Sequence, residues 1–213
     1  MGQIQTKLLL ATKNQGKVKE FQHFFAELGW HVEAVPQDAP DVVEDKDTFA
    51  GNAIKKAEEI AKAYHMPALA DDSGLEVDAL QGRPGVYSAR FAGEHATDEQ
   101  NNAKLLQELT GIGDDSRAAR FVSAIALSRP GQETLVSFGT LEGAVLHTGR
   151  GTQGFGYDPL FVLPERGKTL AELSLEEKNS ISHRAKALRG MIEMLKMEGH
   201  DGAVSESEQG PGE

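Results

Sequence analysis

Short apolar runs alternate with helically spaced apolar residues in the first part of the chain. Residues 8–11 are an apolar run that predicts a buried strand, and apolar side chains then recur at helical spacing over residues 18–28. A second helix is predicted to begin after the capping pair Asp47-Thr48 and to end before Pro67. Strand followed by helix is the order expected of an α/β protein.

The middle of the chain changes from this order to a hairpin. Residues 68–70 predict a strand that ends before the acidic residues following it, and Asp98 is predicted to cap a third helix. Residues 118–127 and 133–140 predict two strands of an antiparallel hairpin, which residues 141–146 extend. We therefore expect an α/β fold on a mixed sheet flanked by helices.

The C-terminal part predicts a long helix. Ser174 and Glu177 have the spacing of a capping box, and an apolar stripe follows over residues 181–195, with a break expected near Ser182. Residues 199–213 contain acidic side chains but no Lys or Arg, and their composition predicts a disordered acidic tail. The expected organisation is one domain over residues 1–198 followed by this tail.

The amino-acid composition limits the kinds of catalysis and ligand binding that the chain can support. The chain of 213 residues has no cysteine, which excludes thiolate catalysis and thiolate metal ligands, so oxygen or imidazole must hold any metal. This composition suits a reducing cytosol, and we expect a cytoplasmic protein. A formal charge of −11 argues against binding to a nucleic acid polymer but permits a small anionic ligand. No apolar run is long enough to suggest a membrane span.

A polar segment at residues 12–17 joins the first strand to the first helix. Free N–H groups and the helix dipole at such a turn favour an anion. The spacing of a Walker loop is absent, and an ordinary polar turn is the alternative. The candidate phosphate-binding residues are Thr12, Lys13, Asn14, Gln15, Gly16 and Lys17.

Carboxylates occur next to two predicted elements. Glu44 precedes the second helix, whereas Asp71, Asp72 and Ser73 follow the strand at residues 68–70. Such groups could converge on one hard cation, because Mg²⁺ binds one or two carboxylates together with substrate phosphates. Adjacent acids also resist joint ionisation unless a cation neutralises them. For Glu44, a solvated charge run is the alternative.

A glycine-rich segment at residues 149–156 leads into Phe155-Gly156-Tyr157-Asp158. Glycine allows the backbone to approach a ligand closely, and the aromatic rings offer faces on which a base could stack. A flexible loop whose Phe155 and Tyr157 belong to the core is the alternative interpretation.

Lys178, His183 and Arg184 place donors and cations near the last helix, where they could bind phosphate or a ring carbonyl. An ordinary surface cluster is the alternative. Ser182 and His183 do not form a catalytic dyad, because neighbouring residues on a helix point in different directions.

Together these clusters resemble the inosine triphosphate pyrophosphatase family, the RdgB-like purine nucleoside triphosphate pyrophosphatases. The matching segments run in the family's order and cover residues 7–197. They are residues 10–17, Glu44 with Thr48-Phe49 and Asn52-Ala53, residues 70–77, residues 84–90, residues 154–159, and residues 177–179 through 182–184.

The resemblance implies a two-lobed α/β fold around an elongated mixed sheet, with the active cleft between the lobes and a homodimeric assembly. It implies Mg²⁺-dependent hydrolysis of ITP, dITP and XTP to the monophosphate and pyrophosphate, which keeps these nucleotides out of DNA and RNA. Residues 12–17 would then bind phosphate, Glu44 and Asp72 the metal, and Ser73 the substrate. The base and phosphate would be held by Phe155, Gly156, Tyr157, Asp158, Lys178, His183 and Arg184.

Two positions depart from the family's pattern. Lys13 stands where Gly or Ser is frequent, and residues 44–47 vary the common Glu-Thr-Gly. The second departure affects the loop's conformation and leaves Glu44 in place.

Hydrolysis between the α- and β-phosphates requires neutralised charge and an oriented water. We expect Lys17 and Lys178 to offset charge, and Asp72 to serve as general base or as the metal ligand that activates water. Donors on His183 or Arg184 would select a 6-carbonyl over the 6-amino group of adenine. Two alternatives are a Maf-like pyrophosphatase for pyrimidine or modified nucleotides and a non-catalytic nucleotide-binding module.

Overall fold

The computed structural model describes residues 7–26 and 30–205, with side chains up to residue 198. Among the helices described there, none is both long and apolar enough to cross a membrane. The strands are β1 Lys7–Leu10, β2 His31–Ala34, β3 Ala68–Val77, β4 Ala118–Ser128, β5 Leu135–Val145, β6 Phe161–Leu163 and β7 Lys168–Thr169. The α-helices are α1 Gln15–Ala26, α2 Phe49–Tyr64, α3 Asp98–Glu108, α4 Leu175–Ile181 and α5 His183–Ser205.

All seven strands form one mixed sheet in the order β2-β1-β3-β4-β5-β6-β7. The β2, β1 and β3 strands are parallel, whereas every pairing from β3 to β7 is antiparallel. The predicted hairpin is the β4-β5 pair, and the predicted extension at residues 141–146 is largely the second half of β5. The sequence therefore indicated the α/β class and the mixed sheet correctly.

Side-chain caps account for where the helices begin. Thr48 accepts a hydrogen bond from the Gly51 N–H at 3.0 Å and caps α2 as predicted. The prediction for α3 was wrong by one residue, because Thr97 forms a capping box with Gln100 while Asp98 is the first helical residue. The shift leaves the Asp98 side chain free to contact another segment.

The predicted break near Ser182 is present between α4 and α5. Ser182 has an extended backbone, and its hydroxyl accepts a hydrogen bond from the Ala185 N–H at 3.1 Å. This residue therefore ends one helix and caps the next, which fixes the direction of His183 and Arg184. The α5 backbone continues to Ser205, so the start of the predicted acidic tail is helical, while residues 206–213 lie outside the described residues.

Two apolar clusters lie at the two ends of the long central strands. One contains Leu69 of β3 and Ile125 of β4 with α1 and α5, and the other contains Leu75 of β3 and Phe121 of β4 with α3. Between the clusters the strands carry buried polar residues, namely Asp71, Asp72 and Ser123. This arrangement creates two lobes on one sheet with a polar band between them.

The prediction that Asp71, Asp72 and Ser73 follow a strand was wrong. β3 continues to Val77, and Asp71 and Asp72 pair with Ile125 and Ala124 of β4. A run of polar residues resembles a strand end in sequence, but here it lies where the two apolar cores meet.

Candidate active site

Asp71 and Asp72 point to opposite faces of the sheet, because successive side chains of a strand alternate. The Asp71 carboxylate faces α1 and α5, where Lys17 Nζ lies 2.7 Å from its Oδ2 and Arg184 Nη2 lies 3.2 Å away. The Asp72 carboxylate faces α2 and accepts from Asn52 at 3.0 Å. The two adjacent acids therefore belong to separate clusters. The expectation that both would bind one cation was wrong.

The Asp72 cluster joins two carboxylates around one ammonium group. Lys56 Nζ lies 2.6 Å from Glu44 Oε1 and 3.5 Å from Asp72 Oδ1, while Arg90 Nη1 donates to Glu44 Oε2 at 3.2 Å. Burial, reinforced by the Glu44 charge and opposed by Lys56, raises the pKa of Asp72. For Glu44, burial acts upward, but Lys56, Lys17 and Arg90 together outweigh it and lower the pKa.

This carboxylate pair fits a hard cation with few protein ligands. The described residues contain no group of three or more His, Asp or Glu side chains suited to a metal. Glu44 and Asp72 are nevertheless close enough to share the Lys56 ammonium, so a cation between them would meet two carboxylates. Mg²⁺ completes such a site with water and substrate phosphates.

The segment at residues 12–17 forms the N-terminus of α1. The Asn14 Oδ1 accepts from the Lys17 N–H at 3.1 Å, and the Thr12 hydroxyl accepts from the Asn14 N–H at 3.1 Å. Lys13 extends in another direction, to the Asp41 carboxylate at 2.8 Å. Gln15 is exposed in the first turn. The segment thus has the geometry of an anion-binding helix start, with Lys17 as its inward-pointing cation.

Gly16 brings this helix against the glycine-rich loop. A Cβ atom at Gly16 would lie 2.5 Å from a ring carbon of Phe155, a distance that van der Waals repulsion forbids. The absence of a side chain at Gly16 therefore allows Phe155 to lie over the start of α1.

Glu20, which the sequence did not single out, links the C-terminal cations. Its carboxylate pairs with Lys178 Nζ at 2.8 Å and accepts a hydrogen bond from Arg184 Nη1. Burial opposes ionisation, yet Arg184 and Lys178 lower the pKa of Glu20 to about 2. Lys178 also pairs with Asp158 at 2.7 Å, so acids and cations alternate along one buried chain.

Arg184 is held by acids on several sides. Besides Glu20, its guanidinium donates to Asp71 Oδ2 and, at 2.9 Å, to the Ser73 hydroxyl. Burial disfavours its charge, but Asp71 and Glu20 raise the pKa of Arg184 above its ordinary value. Most of its N–H groups are thereby engaged, and one N–H of Nη1 has no partner within the described residues.

His183 faces the cleft with an unused ring nitrogen. Its ring stacks on Phe121 with centroids 4.8 Å apart and an interplanar angle of 11°. Burial, aided by the Arg184 charge, holds the pKa of His183 well below its ordinary value, so the imidazole is neutral at pH 7. Its Nδ1 is buried and has no hydrogen-bond partner among the described residues. Water or a ligand would have to supply the missing hydrogen bond of this buried atom.

The two aromatic residues of the glycine-rich loop have different surroundings: Tyr157 lies in the core, and Phe155 lies against the Lys178 ammonium. Tyr157 is buried and its hydroxyl donates to the Ser88 carbonyl at 2.8 Å, so the core interpretation applies to this side chain. Phe155 lies beneath Lys178 Nζ, 4.8 Å from the ring centroid, and its N–H donates to Asp158 Oδ2 at 3.0 Å. The loop therefore offers one aromatic face to the cleft and anchors the other ring.

Several of these side chains line two adjoining cavities that share Asn14, Lys17 and Ala89, whereas Glu20, Asp71 and Asp72 are not among the lining residues of either cavity. The first holds the aromatic and C-terminal groups, and the second holds the start of α1 with Glu44 and Lys56. The first is lined by Asn14, Lys17, Ser73, Gly74, Ser88, Ala89, Asp98, Asn101, Phe121, Phe155, Gly156, Tyr157, Asp158, Lys178, His183 and Arg184. The second is lined by Ala11, Thr12, Lys13, Asn14, Lys17, Val35, Pro40, Asp41, Val42, Glu44, Lys56, Ile60 and Ala89.

No site role was assigned from the sequence to Asn52, Lys56, Arg90 or Glu20, although the first three have features in the sequence that could have indicated one. Asn52 and Lys56 occupy the buried, apolar face of α2, where a polar residue is unusual. Arg90 lies in a segment that matched the family. Glu20 lies beside the apolar stripe of α1 and had no comparable signal.

The fold and the cleft define an α/β protein with adjoining sites suited to an aromatic ring and to a polyphosphate. Residues 8–194 match the model of the Ham1 family. The chain belongs to the Ham1 family.

Relatives and solved structures agree with this assignment. A dITP/XTP pyrophosphatase of Geobacillus kaustophilus is 54% identical over 189 residues, covering 88% of this chain and 93% of the relative. A Bacillus subtilis protein of the same name is 47% identical, covering 90% of this chain and 98% of the relative. The structure of the Staphylococcus aureus Ham1 protein has a TM-score of 0.80 and 44% identity, over 91% of this chain and 100% of that one. A dITP/XTP pyrophosphatase structure from Mycobacterium abscessus has a TM-score of 0.71 and 42% identity, over 89% and 100%.

Proposed function

We propose that this protein hydrolyses non-standard purine nucleoside triphosphates, namely ITP, dITP and XTP, to the monophosphate and pyrophosphate. The observation that carries the proposal is the pair of adjoining cavities joined at Asn14 and Lys17. One has an aromatic face and an unpaired imidazole nitrogen, as a base requires. The other has a helix N-terminus and the Glu44 carboxylate, which shares the Lys56 ammonium with Asp72, as a triphosphate with its metal requires. The names of the relatives support the same activity.

We propose that His183 and the free N–H of Arg184 recognise the base. Both groups line the first cavity, and the neutral imidazole can donate from Nδ1 in one tautomer. A donor at that position pairs with the 6-carbonyl of hypoxanthine or xanthine but would be left unpaired by the 6-amino group of adenine. An unpaired buried donor costs about 1–3 kcal/mol, so two would give roughly a hundredfold selectivity.

The triphosphate is bound by the N–H groups at the start of α1 and by Lys17. Lys17 is already paired with Asp71, so it is positioned before substrate arrives and loses little conformational entropy on binding. Lys178 lies in the first cavity near Phe155, at the base side of the shared residues. We therefore assign Lys17 to the phosphates and Lys178 mainly to the support of Phe155 and Glu20.

Asp72 is the proposed general base. Its pKa is raised by burial and by Glu44, which moves a carboxylate toward the range in which it can accept a proton from water. Asn52 holds one carboxylate oxygen, so the group has a fixed orientation. Water attacks the α-phosphorus, its proton passes to Asp72, and the bond between the α-phosphorus and the bridging oxygen breaks to release pyrophosphate.

Glu44 and Asp72 are the residues that would hold Mg²⁺, with one or more ions per subunit as the family resemblance implies. The bound ion would supply charge neutralisation to the triphosphate. In the structure Lys56 occupies the space between the two carboxylates, so we expect it to remain beside them and to share the compensation of charge.

The deciding experiment identifies the product released from ITP in the presence of Mg²⁺. Pyrophosphate and IMP support the proposal, whereas orthophosphate or no product contradicts it. A panel of ITP, XTP, dITP, dUTP and methylated triphosphates separates the purine activity from a Maf-like one. Binding of ITP without any product would identify a non-catalytic nucleotide-binding module.

The family resemblance also leads us to propose a cytoplasmic homodimer. Light scattering coupled to size-exclusion chromatography measures the mass directly, and a monomer at micromolar concentration would contradict the dimer. Fractionation of the producing cells tests the location.

A further inference from the structure

Gly156, in the glycine-rich loop, is held by the first turns of α3. Its N–H donates to Asp98 Oδ2 at 2.6 Å, and its carbonyl oxygen accepts from Asn102 Nδ2 at 2.9 Å. Asp98 and Asn102 are four residues apart and therefore share one face of the helix. Two side chains of one helix thus bind both polar groups of a single loop residue.

The position of Gly156 matters because Phe155 and Tyr157 flank it. Gly156 has a φ of +64°, a conformation that glycine adopts without strain, and the loop changes direction there. Tyr157 is fixed in the core by its hydrogen bond to Ser88. Phe155 therefore depends on the Gly156 backbone and on Asp158 for its position over the cleft.

The helix that holds Gly156 is itself firmly supported at both ends. Asn101 bonds to the backbone at Ala89 and Ala92, beside the first turn of α3. At the other end the buried Arg117 guanidinium donates to the Leu109 carbonyl at 3.1 Å and to the Val145 carbonyl at 2.7 Å. One end of the helix is therefore tied to residues 89–92 and the other, through Arg117, to the end of β5.

We propose that Asp98 and Asn102 are positioning residues that hold the glycine-rich loop, and with it Phe155, at the base end of the cleft. The proposal rests on the proposed function, because it takes the cavity beside Phe155 to be the base site. On this proposal, α3 strengthens the binding of the base and does not affect the binding of the phosphates. The proposed phosphate-binding residues lie at the start of α1, and no side-chain hydrogen bond of Asp98 or Asn102 within the described residues reaches that segment.

The chemistry of the two contacts is complementary. The Asp98 carboxylate accepts a charge-assisted hydrogen bond from the Gly156 N–H. Asn102 must present its NH₂ to the Gly156 carbonyl, and its Oδ1 is buried without a partner among the described residues. The Asp98 charge also lies near Tyr157, whose pKa is raised first by burial and then by this carboxylate.

The test compares a ligand that contains the base with one that lacks it. Calorimetry measures the Kd of IMP and of inorganic tripolyphosphate, each with Mg²⁺, for the wild type, Asp98→Ala and Asn102→Ala. Asp98→Asn is the conservative variant, because its amide oxygen still accepts from the Gly156 N–H. Gln107→Ala is the matched control, since Gln107 is exposed on the same helix.

We expect each alanine variant to weaken IMP binding about tenfold, as the loss of one strong hydrogen bond predicts, with tripolyphosphate Kd within about twofold of the wild type. Asp98→Asn should restore most of the IMP affinity, and Gln107→Ala should match the wild type. Unchanged IMP affinity in both alanine variants overturns the proposal. Equal weakening of both ligands also overturns it, because that result indicates a general structural role.

The wild-type measurements separate this proposal from the proposed function. If the wild type binds IMP but releases no pyrophosphate from ITP, hydrolysis fails as a proposal while the binding comparison still decides the role of α3. If pyrophosphate is released and the variants bind IMP normally, only the positioning role fails. A wild type that binds no IMP overturns the positioning role, whereas release of pyrophosphate from ITP still decides the proposed function.

Discussion

At the residue scale, the neighbouring acids Asp71 and Asp72 lie in different electrostatic surroundings. Strand alternation directs the Asp71 carboxylate to Arg184 and Lys17, where two cations hold its pKa well below its ordinary value despite burial. For Asp72, burial and the nearby Glu44 charge outweigh Lys56 and raise the pKa. The surroundings of Asp71 therefore favour its ionised form, whereas those of Asp72 favour the protonated form more than water does.

The exchange of Asp72 for asparagine should abolish turnover while leaving substrate binding measurable. Asp72→Asn keeps the shape of the side chain but removes the proton acceptor, so kcat should fall by about 10²–10⁴, the usual contribution of a general base. Steady-state hydrolysis of ITP and calorimetric binding of ITP give the two measurements.

Asp71→Asn is the matched comparison. It leaves Arg184 short of a charged partner in a buried site, so its main effect should be a loss of about 3 kcal/mol or more in the free energy of unfolding. Normal turnover by Asp72→Asn would remove that residue from its assigned role.

His183 permits a test of base selection that spares the surrounding packing. His183→Phe keeps an aromatic ring against Phe121 but has no ring nitrogen. We expect the ratio of kcat/KM for ITP over ATP to fall about tenfold, because one donor no longer distinguishes the two bases. If the ratio is unchanged, the selection lies with Arg184 or with the backbone.

At the scale of elements, α1 contributes residues to both the proposed phosphate site and the proposed base site. Its N-terminus is the proposed phosphate-binding segment, Gly16 accommodates Phe155, and Glu20 pairs with Lys178 and Arg184. Because a helix is rigid over two turns, a shift at one of these positions moves the others. On the proposed function, this helix sets the distance between the base site and the phosphate site.

Gly16→Ala should reveal that coupling. Alanine favours an isolated helix by about 0.5–1 kcal/mol, but here its methyl group would meet the Phe155 ring at 2.5 Å. We expect lower stability and a KM for ITP raised several-fold, measured by thermal unfolding and steady-state kinetics.

Two further variants give the controls. Lys19→Ala, an exposed change on the same helix, should leave KM unchanged. In a Phe155→Ala background, Gly16→Ala should no longer destabilise the protein. If it still does, the cost does not come from contact with Phe155.

At the scale of the whole molecule, a band of ion pairs lies between two apolar cores. Glu20, Asp71 and Asp158 alternate with Lys17, Lys178 and Arg184, so the band is electrically balanced when all six groups are charged. Its carboxylates must stay ionised for the balance to hold. The fold should therefore be sensitive to acid.

The pH dependence of stability tests this balance at Glu20. Its pKa falls from 4.5 in the unfolded chain to about 2 in the fold, so its stabilisation is present above about pH 4.5 and is lost as the pH falls toward 2. The shift corresponds to at most about 3 kcal/mol.

Glu20→Gln should be less stable than the wild type at pH 7 and should have a flatter profile between pH 5 and 2. Urea unfolding at a series of pH values measures both effects. Parallel profiles for the two proteins would show that Glu20 does not titrate in this window.

The sequence by itself determined the α/β class, the β4-β5 hairpin, the break at Ser182 and the polar segments that line the cleft, because local periodicity and capping depend on neighbouring residues. It could not place Asp71 and Asp72 within β3, since a polar run ends a strand unless two cores meet there. It could not find Glu20 either, because the partners Lys178 and Arg184 lie far along the chain. Only the tertiary structure decided which acid meets which cation, since burial and charge at a site depend on groups that folding brings together.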